Sequence, residues 1–259
     1  MVTTASVRYE WHKATGTKDA TPKTQPLLYH LSSLTHSSNL HGAHLMYVQD
    51  PFAEHRHDEI FSLVGKHPLG AIITTRTTEI EVDHLPFSVH SDIGSHGTLR
   101  CHVARGNPLW RALADNNSVV TVFQGPNAYI SPTWMPNRKR HGKVAPSWNY
   151  VAVHAYGIAH VTEDAAWLKQ HLRDLISAQE NHRPDRWSLD EAPEEFVAQL
   201  LNNIVGIEIT VNRLVGKWFV SQYRSPSDRE GVVAGLLQEQ TDATTAVAAM
   251  IKAYAPAAK

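Results

Sequence analysis

The chain has 259 residues, of which 42% are hydrophobic and 19% charged, and its 24 basic and 25 acidic side chains leave a formal charge of −1. That length is enough for one large domain or two small ones with a real core, while the near-neutral balance excludes a chain-wide basic field of the kind that drives non-specific nucleic-acid binding. No apolar run approaches the roughly 20 residues of a membrane-spanning helix, Met1 to Glu10 lacks a secretory pattern, and the single Cys101 cannot form an internal disulfide, so the expected location is the cytoplasm.

In chain order, residues 1–45 are rich in Thr, Ser, His and Lys, show no sustained period, and read as a poorly ordered extension preceding a domain that spans 46–259. Ile60, Phe61 and Val64 give a short amphipathic helix stopped at His67-Pro68. Leu69 to Thr75 is a buried strand. From Glu79 to Val89 the apolar set moves from even positions (Ile80, Val82) to odd ones (Leu85, Phe87, Val89), which predicts a bulge at Asp83-His84 that re-aims His84. Thr98 to Arg105 alternates, with Leu99, Cys101 and Val103 inward and Arg100, His102 and Ala104 outward.

Val119 to Gln124 and Ala128 to Trp134 form the next strand pair, joined by Gly125-Pro126-Asn127 as a turn. Trp148 to Val161 is a long strand whose odd positions are small or apolar and whose even positions carry Trp148, Tyr150, His154, Tyr156 and His160. Helices are predicted over 163–177 and 193–203, strands over 205–211 and 217–222, a helix opened by Ser225-Pro226, and a last helix from about Asp242. Strands precede most helices at turn-length spacing, so the fold class is mainly β with peripheral helices (α+β), an antiparallel barrel or sandwich. No GxGxxG or GxxxxGK[ST] loop is present.

Three constellations carry chemistry. After Arg105 the chain passes through Gly106 into Asn107-Pro108 and a helix; Asn as cap and Pro in the first turn set free N–H groups beside Arg105, with His102 and Arg100 projecting from the same strand, which suits a seat for phosphate or an ordinary strand-to-helix corner with solvated arginines. The rings around Trp148, Asn149, Tyr150 and Tyr156, with Gln124 and Ser131 on paired strands, suit a heteroaromatic ligand, an aromatic core or a dimer interface. Arg138 to Lys143 is a local basic patch at a hairpin tip. His55-x-His57 falls in a helical stretch with the wrong spacing for shared metal ligation, and no HExxH or cysteine pair occurs, so no metal is expected. Cys101 faces inward and no GxSxG elbow exists, which argues against nucleophilic catalysis.

Together, HLPF (84–87), GTLRCHVARGNPLW (97–110), FQGPNAYISPTWM (123–135), PSWNYVAVHAYG (146–157), IVGIEI (204–209) and GKWFVSQYRSPSDREGVVAGL (216–236) make the chain resemble the PaiB family, described as FMN-binding negative transcriptional regulators built on the antiparallel flavin-binding split β-barrel. The resemblance starts at Met46-Tyr47. It implies a homodimer with FMN clefts at the interface, the phosphate held by the H-x-A strand and its following turn, here His102, Ala104, Arg105 and Asn107. It makes Gln124, Ser131, Trp148 and Asn149 neighbours of the isoalloxazine or ribityl chain, with Lys217, Trp218, Gln222 and Arg224 completing the cleft. From the sequence itself, His84 and His154 are the candidates for proton transfer.

Two functions follow from the resemblance: a flavin-sensing negative transcriptional regulator, direct or indirect, or a flavin-dependent oxidoreductase, with haem degradation as the alternative cofactor chemistry. Without a helix-turn-helix pattern, direct operator contact rests on the Arg138 to Lys143 loops of a dimer.

Overall fold

The computed structural model describes residues 46–76 and 79–256; the extension expected over 1–45 lies outside them. Among the described residues, eight strands form one antiparallel sheet: β1 (Ala53–Glu54), β2 (Leu69–Arg76), β3 (Glu79–Pro86), β4 (Ser88–His90), β5 (Thr98–Ala104), β6 (Ser118–Ile130), β7 (Ser147–Thr162) and β8 (Ile204–Phe219). The helices are α1 (His57–Lys66), α2 (Leu109–Asp115), α3 (Asn137–His141), α4 (Ala165–Glu180), α5 (Glu194–Asn202), α6 (Pro226–Gln238) and α7 (Asp242–Ala253).

Strand order is β3-β2-β6-β7-β8-β5-β4, with β1 on β8. The two ends of this order, β3 and β4, are joined in the chain by Phe87 alone. A sheet whose first and last strands are one residue apart must curl until its edges meet. Among the described residues no ladder closes that seam, and Asn107 Nδ2 spans it instead by donating to Asp83 Oδ1 at 3.3 Å. The result is a split, open barrel.

Alternation sorts the side chains. Ile72, Leu85, Phe87, Leu99, Cys101, Val103, Val119, Phe123, Val151, Val153, Ile207 and Ile209 fill the interior, each buried. Cys101 is completely enclosed, and burial pushes its thiol up, so it is an inert core residue. Helix α1 ends at His67, whose N–H returns to Leu63 O and Val64 O just before Pro68, as the proline predicts. Ser225 caps α6 by accepting from Asp228 N, and Thr241 caps α7 by accepting from Thr244 N.

Five local expectations change. No bulge breaks β3: its register against β2 runs unbroken from Leu69↔Pro86 to Arg76↔Glu79. The apolar residues that suggested a switch, Ile80 and Val82, are 71% and 51% exposed, because they belong to the outer face rather than to the core. Gly125-Pro126-Asn127 is not a turn but a bulge inside the single strand β6, whose register against β7 shifts between Gln124 and Asn127. Likewise 205–211 and 217–222 are not two strands; β8 is continuous through a bulge opposite Tyr156/Gly157. The basic tip holds the short helix α3, ended by Gly142 at φ +69° and tethered by Asn137, which donates from N and Nδ2 to Asp228 and from Nδ2 to Ser225 Oγ. Finally, His55 precedes α1 rather than lying within it.

Candidate functional site

The outer face of the barrel has two parts. Over β4, β5 and the first half of β8 it is roofed by α4. Cross-strand register aligns Ser88, Arg100, Glu208 and His160 in one row, and His102, Gly206 and Thr162 in the next. Trp167 of α4 lies directly on Gly206, where any Cβ would collide with its ring. Arg100 Nε donates to Glu208 Oε2 at 2.7 Å, and its guanidinium sits 5.4 Å from the Trp167 ring. His102 Nδ1 lies 3.0 Å from Nε2 of His171, which is fully buried and stacks on Trp167 at 5.3 Å. Burial pushes the imidazole of His171 down to about 3, helped by the nearby His102, His90 and Arg100; burial also lowers His102.

At the β5–α2 corner, Asn107 Oδ1 accepts from Leu109 N at 2.8 Å, while the cap position of α2 falls on Pro108, one residue after the expected asparagine. Arg105 donates from Nε to Asn202 O at 2.8 Å, pairs with Glu163, and reaches Ile204 O, while Trp110 Nε1 donates to Arg105 O. Ala104 is exposed beside it. The structure thus gathers Arg100, His102, Ala104, Arg105 and Asn107 on one strand and corner, with the two arginines already paired to carboxylates.

The second part of the outer face, over β3, β2, β6, β7 and the end of β8, has no roof among the described residues. Register sets His84↔Ala71, Ala71↔Val122, Val122↔His154 and His154↔Val215 in a row, and Val82, Ile73, Val120, Tyr156 and Arg213 in the next. Burial lowers the His154 imidazole. Farther along, Gln124, Ala152 and Lys217 align, then Asn127, Tyr150 and Phe219, then Tyr129 and Trp148. Trp148 is 54% exposed, donates to Asn127 Oδ1 at 2.9 Å and meets Tyr129 edge-on. Lys217 Nζ donates to Tyr47 O at 3.0 Å and lies over the rings of Tyr150 and Tyr47.

Other expected neighbours face inward or close the backbone. Asn149 is fully buried and exchanges hydrogen bonds with Ser221, which is held at φ +66°. Trp218 is buried against Tyr254. Gln222 accepts from Val220 N and donates to Trp218 O, Ser131 caps the turn at Pro132, and Arg224 donates to Ser147 Oγ and Met135 Sδ. The strand pattern assigned Trp148 correctly to the outer face, but the same alternation places Asn149 and Trp218 inside.

Sequence reasoning missed His171, Trp167's covering role and the partners Glu163 and Glu208. The signal existed for His171: it stands three residues after Leu168 and four after Trp167, in the stripe that buries α4. It also missed the wall formed by Phe52, Phe219 and Tyr223, where Phe219 lies 4.6 Å from Phe52 and 5.6 Å from Tyr223.

Residues 46–213 match a family described as "Putative FMN-binding domain". The chain is 31% identical over 195 residues to the protease synthase and sporulation protein PAI 2 of Bacillus subtilis, covering 75% of this chain and 91% of that one. It is 30% identical over 242 residues to the uncharacterized protein AN0679 of Emericella nidulans, covering 80% and 96%. Among solved structures, the FAD and heme binding protein of Mycobacterium smegmatis aligns with a TM-score of 0.48 at 15% identity, over 71% of this chain and 80% of that one. No helix of the described residues is long and apolar enough to cross a membrane. On the family match and the Bacillus relative, the chain belongs to the PaiB family of FMN-binding-domain proteins.

Proposed function

We propose that residues 46–259 form an FMN-binding domain acting as a cytoplasmic homodimer, with each cofactor held between the corner of one protomer and the ring-bearing end of the other. One observation carries this reading. Ala104 pairs with Ile204 at the start of β8, whereas Tyr150 pairs with Phe219 at its end. The two groups of candidate residues are therefore separated by the whole 16-residue strand, roughly 50 Å of chain at about 3.3 Å per residue. That is far more than a mononucleotide spans. A second copy laid on the unroofed face, whose apolar residues Val82, Ile73 and Val120 otherwise meet water, brings opposite ends together.

The residue chemistry fits such a ligand. Exposed Trp148 and half-buried Tyr150 offer faces, Gln124 an amide, and Lys217 a cation to a polar ring, while Arg105 and Asn107 supply charge and a hydrogen-bond donor for phosphate. For this, Arg105 exchanges Glu163 for the phosphate. When bound, FMN supplies the redox chemistry; the chain binds, orients and excludes water.

The output we favour is negative transcriptional regulation through flavin state, supported by the Bacillus relative's name, which ties that protein to protease synthase and sporulation. Any direct DNA contact falls to Arg138, Lys139, Arg140 and Lys143 of the two copies, on the tethered α3 and its cap, where none pairs with a carboxylate among the described residues. A flavin-dependent oxidoreductase is the second reading, favoured by a cleft of about 700 Å³ beside Phe219 and Tyr223 that has room for a small substrate.

The test is complementation in trans. Arg105→Ala and Lys217→Met homodimers should each bind FMN weakly, and their mixed dimer should recover one tight site per dimer in a fluorescence titration. Two weak sites in the mixed dimer would refute the shared cleft.

A further inference from the structure

The geometry points to a second ligand site, for a planar aromatic carboxylate, in the cleft between residues 47–52 and the end of β8. The assignment goes beyond the flavin reading and does not require it: the lining of the cleft belongs to one protomer, although Lys217 beside it is shared with the residues proposed to meet the flavin ring. The cleft is an open groove of about 700 Å³, lined by Tyr47, Gln49, Asp50, Phe52, Phe219 and Tyr223 among others.

Its floor is a packed set of rings. Phe52 meets Phe219 edge-on at 4.6 Å and Tyr223 edge-on at 5.9 Å, while Phe219 and Tyr223 stack at 5.6 Å. Side chains that serve only as core end up covered. Tyr47 remains 73% exposed and Tyr223 is exposed as well, so the wall keeps open ring faces on which another flat ring extends the offset and edge-on pattern.

Charge just outside that lining fixes the other half of the ligand. Lys217 projects from the row beside this wall; its ammonium spends one donor on Tyr47 O and rests 5.4 Å from the Tyr150 ring and 5.9 Å from the Tyr47 ring. An ammonium carries three donors. Neither a carbonyl nor two ring faces cancel its charge, and no carboxylate pairs with it among the described residues. Arg224 adds a second cation 4.9 Å from the Tyr223 ring. An anion is the partner this arrangement lacks, and an aromatic ring is the body that the wall accepts. Asp50 is the acid in the lining and stands exposed at the mouth, which disfavours multiply charged anions such as nucleotides relative to a single carboxylate.

The experiment uses the full chain and anthranilate, a fluorescent benzene carboxylate, with aniline and cyclohexanecarboxylate as ligands lacking the anion or the aromatic ring. Saturable anthranilate binding is expected, with both analogues roughly tenfold weaker. Lys217→Met and Tyr223→Ala should each weaken anthranilate about tenfold with unchanged circular dichroism, and Lys217→Arg should retain it. The site is overturned by absent saturation, by equal binding of either analogue, or by variants that bind like the parent. Anthranilate binding in a chain that takes no FMN would sink the flavin reading alone, and FMN binding in a chain that takes no anthranilate would sink this site alone.

Discussion

His102 Nδ1 and His171 Nε2 face each other at 3.0 Å, so a single proton lies between the two rings and both rings cannot become imidazolium without breaking the contact. On its far side, His171 Nδ1 is buried with no hydrogen-bond partner among the described residues. Arg100, with its partner Glu208, and His90 face the pair from the sheet, while Trp167 covers it from α4 and Asp174 of α4 reaches toward His90. The roof over this half of the barrel is therefore docked on neutral imidazoles.

Acid should loosen that roof. His171 has its ordinary value near 6.5 when unfolded and about 3 when folded, so between these values the unfolded chain binds more protons. Stability from this group is complete above pH 6.5 and declines as pH falls toward 3, by up to about 1.4 kcal/mol per pH unit. Melting temperature should drop measurably from pH 7 to pH 5, and His171→Phe should flatten that slope; an unchanged slope would mean that other groups set it.

Freeing Arg105 should tighten FMN. Glu163 holds the guanidinium expected to meet phosphate, so Glu163→Gln removes a competitor without touching the ligand. Several-fold tighter FMN with unaltered riboflavin affinity is the expected result of parallel titrations. Equal gains for both ligands would place the effect away from the phosphate.

A glutamate in place of Val82 should keep the chain monomeric. Val82 shares a row with Ile73 and Val120 on the unroofed face, and two charges brought together there across a twofold axis lose hydration without gaining a partner. Sedimentation should show half the parent mass, accompanied by loss of FMN binding. A dimer of undiminished stability would locate the interface elsewhere.

Gly231→Ala tests how α6 is seated. In a free helix the change would stabilise by nearly 1 kcal/mol, but here the new Cβ runs into Trp134 O, and Pro136 Cδ is 3.1 Å away. Overpacking of this kind costs about 1–3 kcal/mol, so urea denaturation should show net destabilisation. A gain in stability would show that the turn at Pro132–Trp134 yields easily.

Much of the architecture was legible because alternation and capping are local. Leu99, Cys101 and Val103 declared the inner face of β5, and Ser225-Pro226 declared the start of α6, using physics contained within a few residues. The misreadings came where tertiary pairing overrides local signals. Gly125-Pro126-Asn127 has turn composition, yet pairing with β7 resumes at Asn127 and absorbs the extra residues as a bulge. Ile80 and Val82 seemed to demand a register change because apolar side chains are read as core, and apolar side chains on an outer face look the same in sequence.

At the candidate site, the strand bearing His102 and the turn at Asn107 were visible in outline. Their long-range partners were not: His171 comes from a helix 69 residues away and Glu163 from a loop 58 residues away. Nothing local marks such meetings.

The tethered basic knuckle between β6 and β7 has an engineering corollary. Its exposed arginines and lysines form a natural trypsin target, and a cut there leaves a long two-stranded ladder on one side and the Asn137–Asp228 clasp on the other to keep the halves together. A gene divided at Gly142 should therefore yield two fragments that reassemble when co-expressed, turning this hinge into a usable seam for split reporters.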